Sequence, residues 1–555
     1  MSGGLRSWAD RAGWALAALY LLAALHGLGA ADIVGDDEAR EAGIVQDVAA
    51  GHWLWPEFDR TLLPDKPPLY HWLAAVPCAL TGFSEAAVRL PSALAGAALV
   101  GVTARAGGTL LGQPDGLVAA GLLATMPALF DHVRVARPDA LLVLLLTAAL
   151  VLGFRAWQDG RRRDATAALA LLGLATLAKG PVAPALFALT LGGLALWERA
   201  PGRLRRLVTA PGAVALALLG GGWYAIALAG WRGRFVREHL VGRYLRNLAG
   251  GLIAGQPYSP RPLLWHLRYY PEHLPLVALP WTPLVAYALW RLWRRGGFGD
   301  PRTRFLIAWA LAPVIAFTPA EWKLRYYLLP SLPALALLAA PAAVALLRGP
   351  VVRRSRVAPR RAAIALGAGL AIVAGVGAVV VRPALLSASD RSNLDALLAA
   401  TPGGAPAAAA LLGVGIGVLV GVTALEAWPI GLGLLAAGSA VWMVAGVPAL
   451  EQAASRRDSL RAFAAAVAAR FPPPAPIVFS GAPIRPLVVY LGRDVPVAGP
   501  DGIAAGVGVI ATEPEYRRLV EHARAGPPLA LAEGRVGNLA RDRIVLAEGV
   551  GPRPP

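Results

Sequence analysis

Apolar runs of roughly 18 or more residues, the length that crosses about 30 Å of hydrocarbon as helix, recur along about the first 450 positions and then stop. They predict thirteen spanning helices, near 13–31, 86–104, 116–130, 140–154, 165–178, 182–197, 207–230, 271–290, 305–319, 326–347, 362–381, 407–425 and 429–447. Arg6 and Arg11 ahead of an apolar stretch ending in small residues also fit a signal peptide, but the many spans that follow favour a retained first helix. Past 447 the pattern changes. A helical stretch around 456–470 ends at Pro472, PIVFSG and GVIAT read as strands, TEPEYRRLVEHA as the helix after the second, and RIVLAEG as the closing segment. Alternating strand and helix signals predict a small soluble α/β domain. The chain thus divides into a membrane domain over 1–447 and a tail domain over 448–555, with PPPAP at 472–476 as a stiff turn inside the latter. No long internal repeat is visible by eye, which counts against a transporter made of duplicated halves.

Composition sharpens this picture. Of 555 residues 56% are hydrophobic and 16% charged, and the mean hydropathy is +0.54, outside the range of a soluble globular domain. The net charge of +19 does not point to nucleic acid, because the arginines fall in short loops between apolar runs and not on one solvated face. The stretches 155–164, 198–206, 291–304 and 348–361 are arginine-rich and lie on one side if thirteen spans are threaded. The positive-inside rule makes that side cytoplasmic. The other face then carries loop 32–85, DHVRVARPD at 131–139, the AKGP turn, loop 231–270, EWKLRYY and the tail. The single cysteine, Cys78, cannot form an intrachain disulfide and reads as a packing residue.

Lysine is the sharpest signal. Only three of the 53 basic residues are lysine, Lys66, Lys179 and Lys323, and all three map to the outer face. A compact ammonium approaches a single phosphate or sugar oxygen where a planar guanidinium does not fit. The bland alternative is chance together with snorkelling at helix ends. The acidic cluster Asp36, Asp37 and Glu38 lies just past the first span with Arg40 close by. Adjacent carboxylates repel, so such a cluster calls for cations, a metal or a substrate, unless it merely solvates a helix end. Within loop 32–85, AREAGIVQDVAAG and LPDKPPLYHWLAAVPCALTGF read as two amphipathic helices along the membrane surface, the second started by Pro67. Arg137 with Asp139 reads as a local pair at the start of a span, and Tyr326 and Tyr327 as members of an aromatic belt. No HxxxH or HExxH spacing occurs, which gives a dedicated zinc site little support.

The stretch from DDEAR through DKPPLYHWLAAVPCALTGFSEAAVRLPSALAG resembles the first outer loop of bacterial polyprenyl-phosphate-sugar-dependent glycosyltransferases. These are the lipid A aminoarabinose (ArnT-like) transferases and their relatives, distant kin of protein O-mannosyltransferases. ARPDALLV, LAKGP, LPWTPL and KLRYYLLPSLPALALLAA follow in the family's order across about residues 14–345. The resemblance implies a polytopic α-helical membrane protein of the C-type glycosyltransferase (GT-C) fold, with about 13 transmembrane helices and a small C-terminal α/β domain. It implies Asp37 as the catalytic carboxylate with Glu38 beside it. Arg40, Lys66, Arg137, Asp139, Lys179, Lys323, Arg325, Tyr326 and Tyr327 would bind the donor phosphate or substrate in one cavity. Where relatives often carry a metal-ligating Glu before the KPP lysine, this chain has Asp65, and Gln256 stands where a family histidine is sought. Asp65 is the one candidate metal ligand, and a divalent metal ion is the only cofactor left open.

The implied reaction moves a sugar from a polyprenyl-phosphate-linked donor to an extracytoplasmic acceptor, lipid A-like, glycan or protein, with inversion at the anomeric carbon. The implied setting is a bacterial inner membrane, with the site and the tail domain on the periplasmic side. The partners would be donor, acceptor and bilayer, with no nucleic acid. The competing reading is a polytopic transporter or flippase, which would place ionisable residues midway along its helices; here they gather at the ends.

Overall fold

A computed structural model describes residues 2–57, 66–238, 241, 263–320, 323–348, 427–522, 524–536 and 540–550, with side chains described outside 2–7, 263 and 533–542. Asp65, Gln256 and the expected spans 362–381 and 407–425 lie outside the described residues. In chain order come α1 (Ser2–Leu25), α2 (Asp36–Ala49), α3 (Leu69–Thr81), α4 (Glu85–Leu110), α5 (Asp115–Ala124), α6 (Pro127–Val133), α7 (Asp139–Asp159), α8 (Arg162–Lys179) and α9 (Val182–Trp197). Next, α10 (Ala210–Leu216) runs through a π turn at Ala217–Gly221 into α11 (Gly222–Phe235). They are followed by α12 (Leu263–Val277), α13 (Thr282–Arg294), α14 (Pro301–Phe317), a 3₁₀ turn at Arg325–Ser331, α15 (Leu332–Leu347) and α16 (Trp428–Val441). The tail holds α17 (Val447–Asp458), α18 (Arg461–Arg470), β1 (Ile477–Ser480), α19 (Arg485–Leu491), β2 (Gly508–Thr512), α20 (Glu513–Glu521), β3 (Ala525–Val536) and β4 (Ala540–Gly549).

Among the described residues five helical stretches are long and apolar enough to cross a membrane: Glu85–Leu110, Asp139–Asp159, Ala210–Glu238, Arg325–Leu347 and Trp428–Arg470. The pair α5 and α6 passes the same test together but is bent by 65°. Pro127 opens α6, and its missing N–H and ring break the ladder there. Proline likewise divides the single span expected at 271–290. The structure has two helices there, α12 carrying Pro271 and Pro275, and α13 restarting with Pro283 in its first turn. A count of thirteen spans is not reached within the described residues.

The described chain forms two compact units. One draws on residues 1–26, 65–70 and 91–447, the other on 27–64, 71–90 and 448–555. In the first, α7 and α8 form an antiparallel hairpin closed by Gly160 in the left-handed region (φ 69°) and Arg161. At 1.5 Å per residue the 21 residues of α7 extend about 30 Å. The arginines 161–163 and the pair Asp139 and Lys179 therefore lie at opposite ends of this hairpin, one bilayer thickness apart. Phe154 of α7 stacks on Phe305 of α14 with ring centroids 4.2 Å apart. Trp309 of α14 donates from Nε1 to the Pro330 carbonyl at 2.8 Å, and Ser331 Oγ donates to the Ala310 carbonyl at 2.8 Å. These bonds fix the 3₁₀ turn that presents Tyr326 and Tyr327.

The second unit contains a four-stranded sheet of order β1-β2-β4-β3, with β1 and β2 parallel and the other pairings antiparallel. Ile503, Val509, Ala511, Leu519 and Ala547 pack beneath it. Strand β3 was absent from the sequence expectation. Its start, Ala525-Gly526-Pro527-Pro528, reads as a turn, and the register shifts on both sides of Pro528. An edge position explains why prolines are tolerated, since one side of an edge strand needs no donors for a ladder.

Candidate active site

The first unit gathers charge at the Asp139 and Lys179 end of the hairpin. Lys179 Nζ donates to the Asp139 carboxylate, which is buried at 3% exposure. The same ammonium lies over the Tyr326 and Tyr327 rings, 5.4 and 5.5 Å from their centroids. The Arg137 guanidinium lies 4.9 Å from the Tyr326 centroid. Lys66 is close enough that its charge acts on both Asp139 and Lys179. Four sequence-distant stretches, KPP, ARPD, AKGP and KLRYY, thus meet in one cluster of three cations, one carboxylate and two tyrosine faces.

Local bonds set this geometry. Ser92 Oγ donates to the Arg137 carbonyl at 2.8 Å and lies 3.2 Å from the Tyr70 hydroxyl. Arg134, fully buried, donates to the carbonyls of Ala24 and His26 at 2.8 and 2.7 Å and so closes the carbonyl end of α1. Sequence reasoning gave no role to Ser92 or Arg134, since neither shows any pattern before the fold joins it to its partners.

Lys323 is placed differently. Its Nζ donates to the carbonyls of Phe317 and Thr318 and lies 5.2 Å from the Tyr270 ring centroid. An ammonium on the last carbonyls of α14 is a helix C-terminal cap. The Phe317 ring at this helix end lies 4.6 Å from that of Tyr327 in the cluster. Arg325 is exposed at the start of the 3₁₀ turn.

The second unit holds the acidic helix. Asp36, Asp37 and Glu38 occupy the first turn of α2, where carboxylates complement the helix dipole. Arg89 clamps Glu38 with two hydrogen bonds, 2.8 and 3.2 Å, and donates to the carbonyls of Leu28 and Ala31. Asp36 accepts from Arg485. Burial pushes the Asp36 carboxyl above its ordinary value, against the pull of Arg485 and Arg40. Arg40 Nη2 lies 3.5 Å from Asp37 and 3.6 Å from Glu41. Glu41 in turn meets His71 Nε2 at 2.8 Å, both fully buried. Asp37 is the most exposed of the four carboxylates, its side chain 21% accessible against 9% or less for the others.

Among the described residues no group of three or more His, Cys, Asp or Glu side chains is placed to hold a metal ion. Two cavities of about 160 and 410 Å³, lined respectively around Arg291 and Arg162, contain none of the residues above.

Residues 65–221 match the family described as dolichyl-phosphate-mannose-protein mannosyltransferase. The chain is 30% identical over 356 residues to the undecaprenyl phosphate-alpha-4-amino-4-deoxy-L-arabinose arabinosyl transferase of Aeromonas salmonicida, covering 62% of each chain. It is 28% identical over 337 residues to the protein of that name from Shewanella sediminis, covering 58% of this chain and 57% of the other. These matches span about three fifths of the relatives' length. The crystal structure of ArnT from Cupriavidus metallidurans bound to undecaprenyl phosphate shares the fold over 99% of this chain and 98% of its own, with a TM-score of 0.74 at 21% identity. By sequence the chain is similar to the named arabinosyl transferases and, over residues 65–221, to the mannosyltransferase family, and it shares the fold of ArnT.

Proposed function

We propose that this chain is an integral glycosyltransferase of a bacterial inner membrane, moving a sugar from a polyprenyl-phosphate donor to an acceptor on the periplasmic side. The observation that carries the reading is the cluster of Lys66, Arg137 and Lys179 with Asp139, Tyr326 and Tyr327 at the hairpin end remote from the arginine loop. A sugar phosphate ester develops negative charge on the phosphate as its C1–O bond breaks. Fixed cations in a partly dehydrated site stabilise that charge without reorganisation. The tyrosine faces hold the ammonium and guanidinium groups in place. The names of the relatives, which specify undecaprenyl phosphate and an aminoarabinose, support a lipid-phosphate donor.

Asp37 is the proton acceptor in this reading. An acceptor hydroxyl attacks C1 from the face opposite the leaving phosphate, its proton passes to the Asp37 carboxylate, and the lipid phosphate departs with the bonding electron pair. The configuration at C1 inverts. If the acceptor is itself a phosphate, Asp37 orients it instead. Glu38 is held by Arg89 and steadies α2. Asp139 fixes Lys179. Lys323 caps α14, and Arg325 is exposed at the start of the turn that carries the tyrosines. Asp65 is the residue to test as a metal ligand, and no step depends on one. The transporter reading is weakened by the placement of these ionisable groups at helix ends, and by a fold shared with ArnT.

Mass spectrometry of envelope lipids from a deletion strain tests the proposal. A lost sugar modification together with accumulated polyprenyl-phosphate-sugar is expected, reversed by the wild-type gene and not by Asp37→Asn. An unchanged lipid and glycan profile would overturn it.

A further inference from the structure

Helix α2 has no side-chain cap on its first turn. Its N-cap is Gly35, which has no side chain to accept from the turn's N–H groups. A helix of 14 residues is marginal alone. Yet the segment 32–46 is bonded repeatedly to residues more than 400 positions later in the same compact unit. Arg485 at the start of α19 pairs with Asp36, the neighbour of Asp37. The Ile33 N–H donates to the Tyr490 hydroxyl at 2.7 Å, and that hydroxyl donates to Glu85 at 3.0 Å. Arg461 bonds Asp32 at 2.9 Å and also pairs with Glu85, its guanidinium 4.7 Å from the Tyr490 ring centroid. Gln46 Nε2, one turn from the far end of α2, donates to the Val489 carbonyl at 3.1 Å.

We propose that the tail domain is a positioning part of the active site: Arg485, acting through Asp36, sets the first turn of α2 and thereby the direction of the Asp37 carboxylate, while Tyr490 and Arg461 hold the segment that leads into it. This rests on Asp37 being the proton acceptor. Arg485 touches neither reacting atom, so it is a positioning residue. Misplacing a base by about 1 Å costs on the order of 10²-fold in rate. The cations assigned to donor binding belong to the other compact unit.

The test uses the full-length protein in proteoliposomes, with transfer followed as release of polyprenyl phosphate. Arg485→Ala is expected to lower kcat about 10²-fold with the donor KM within about threefold. Arg485→Lys should recover part of kcat by restoring a cation beside Asp36. The groups that act on Asp36 are Arg485 of α19 and Arg40 and Asp37 of α2. Without Arg485 the burial and Asp37 raise its affinity for a proton against Arg40 alone, so the acid limb of kcat moves to higher pH. Tyr490→Phe keeps the ring and removes only the hydroxyl, so it guards against simple misfolding, and kcat should fall severalfold at unchanged KM. Folded Arg485→Ala and Tyr490→Phe variants with wild-type kcat would overturn the positioning role. If they do so while Asp37→Asn is inactive, only this inference fails; if Asp37→Asn turns over normally, the proton-acceptor assignment fails first.

Discussion

The two units treat charge in opposite ways. In the first, three cations from three stretches converge around one buried carboxylate and two tyrosine rings from a fourth. In the second, the carboxylates of a single helix turn are each met by a different cation: Asp36 by Arg485 of α19, Glu38 by Arg89 of α4, Asp37 by Arg40 of α2 itself. The first arrangement assembles positive potential at the end of apolar helices, which suits an anionic ligand that arrives from outside. The second neutralises buried carboxylates internally and leaves one of them, Asp37, more accessible than its neighbours. Number of charges therefore says little about role. What separates the two is the sign of the charge gathered, cations around one carboxylate in the first unit and carboxylates each beside a cation in the second.

That contrast yields a ranked set of measurements. Asp37→Asn should reduce transfer by about 10³-fold, the scale of a lost general base, while the protein folds normally in a detergent thermal scan. Near wild-type turnover would erase the distinction drawn between Asp37 and its neighbours. Arg89→Ala should be mainly a stability lesion, since it strands the buried Glu38 carboxylate. A loss of about 3–5 kcal/mol is expected for breaking such a pair, read as a large drop in melting temperature. Lys179→Ala and Lys66→Ala should each cost about 10²-fold in kcat/KM, with weakened retention of a polyprenyl phosphate in a binding assay. Arginine at either position should not restore the loss, because a planar fork does not replace a point charge. The smallest effect belongs to Lys323→Ala, a loss of up to about 1 kcal/mol from an unprotected helix end with activity changed only severalfold. A Lys323 variant as inactive as the Lys179 variant would show that the first unit's cluster is larger than its direct contacts indicate.

Particular residues show how far the chain could be read before folding. The apolar runs that became α4, α7 and α15 were legible because hydrocarbon thickness imposes a length that few soluble helices match. The division of 271–290 was not, because mean apolarity hides what Pro275 and Pro283 do to a hydrogen-bond ladder. The amphipathic segments of the first outer loop appear as α2 and α3, with α3 starting at Leu69 and not at Pro67. Lysine scarcity drew attention to Lys66, Lys179 and Lys323 alike, yet only the structure separates two members of a charge cluster from one helix cap. The acidic triplet looked like one chemical unit in the sequence. In the fold its members have three different partners, from α19, α4 and α2 itself.

Local physics was enough for the apolar runs of α4, α7 and α15, the arginine-rich loops, the alternating signals of the tail and the scarcity of lysine, since each depends on composition within a short window. The pairing of Lys179 with Asp139, the clamp of Arg89 on Glu38 and the reach of Arg485 to Asp36 depended on folding. A hydrogen bond or ion pair is decided at about 3 Å, and nothing in a linear pattern records which residues 40, 51 or 449 positions apart will be brought within that distance.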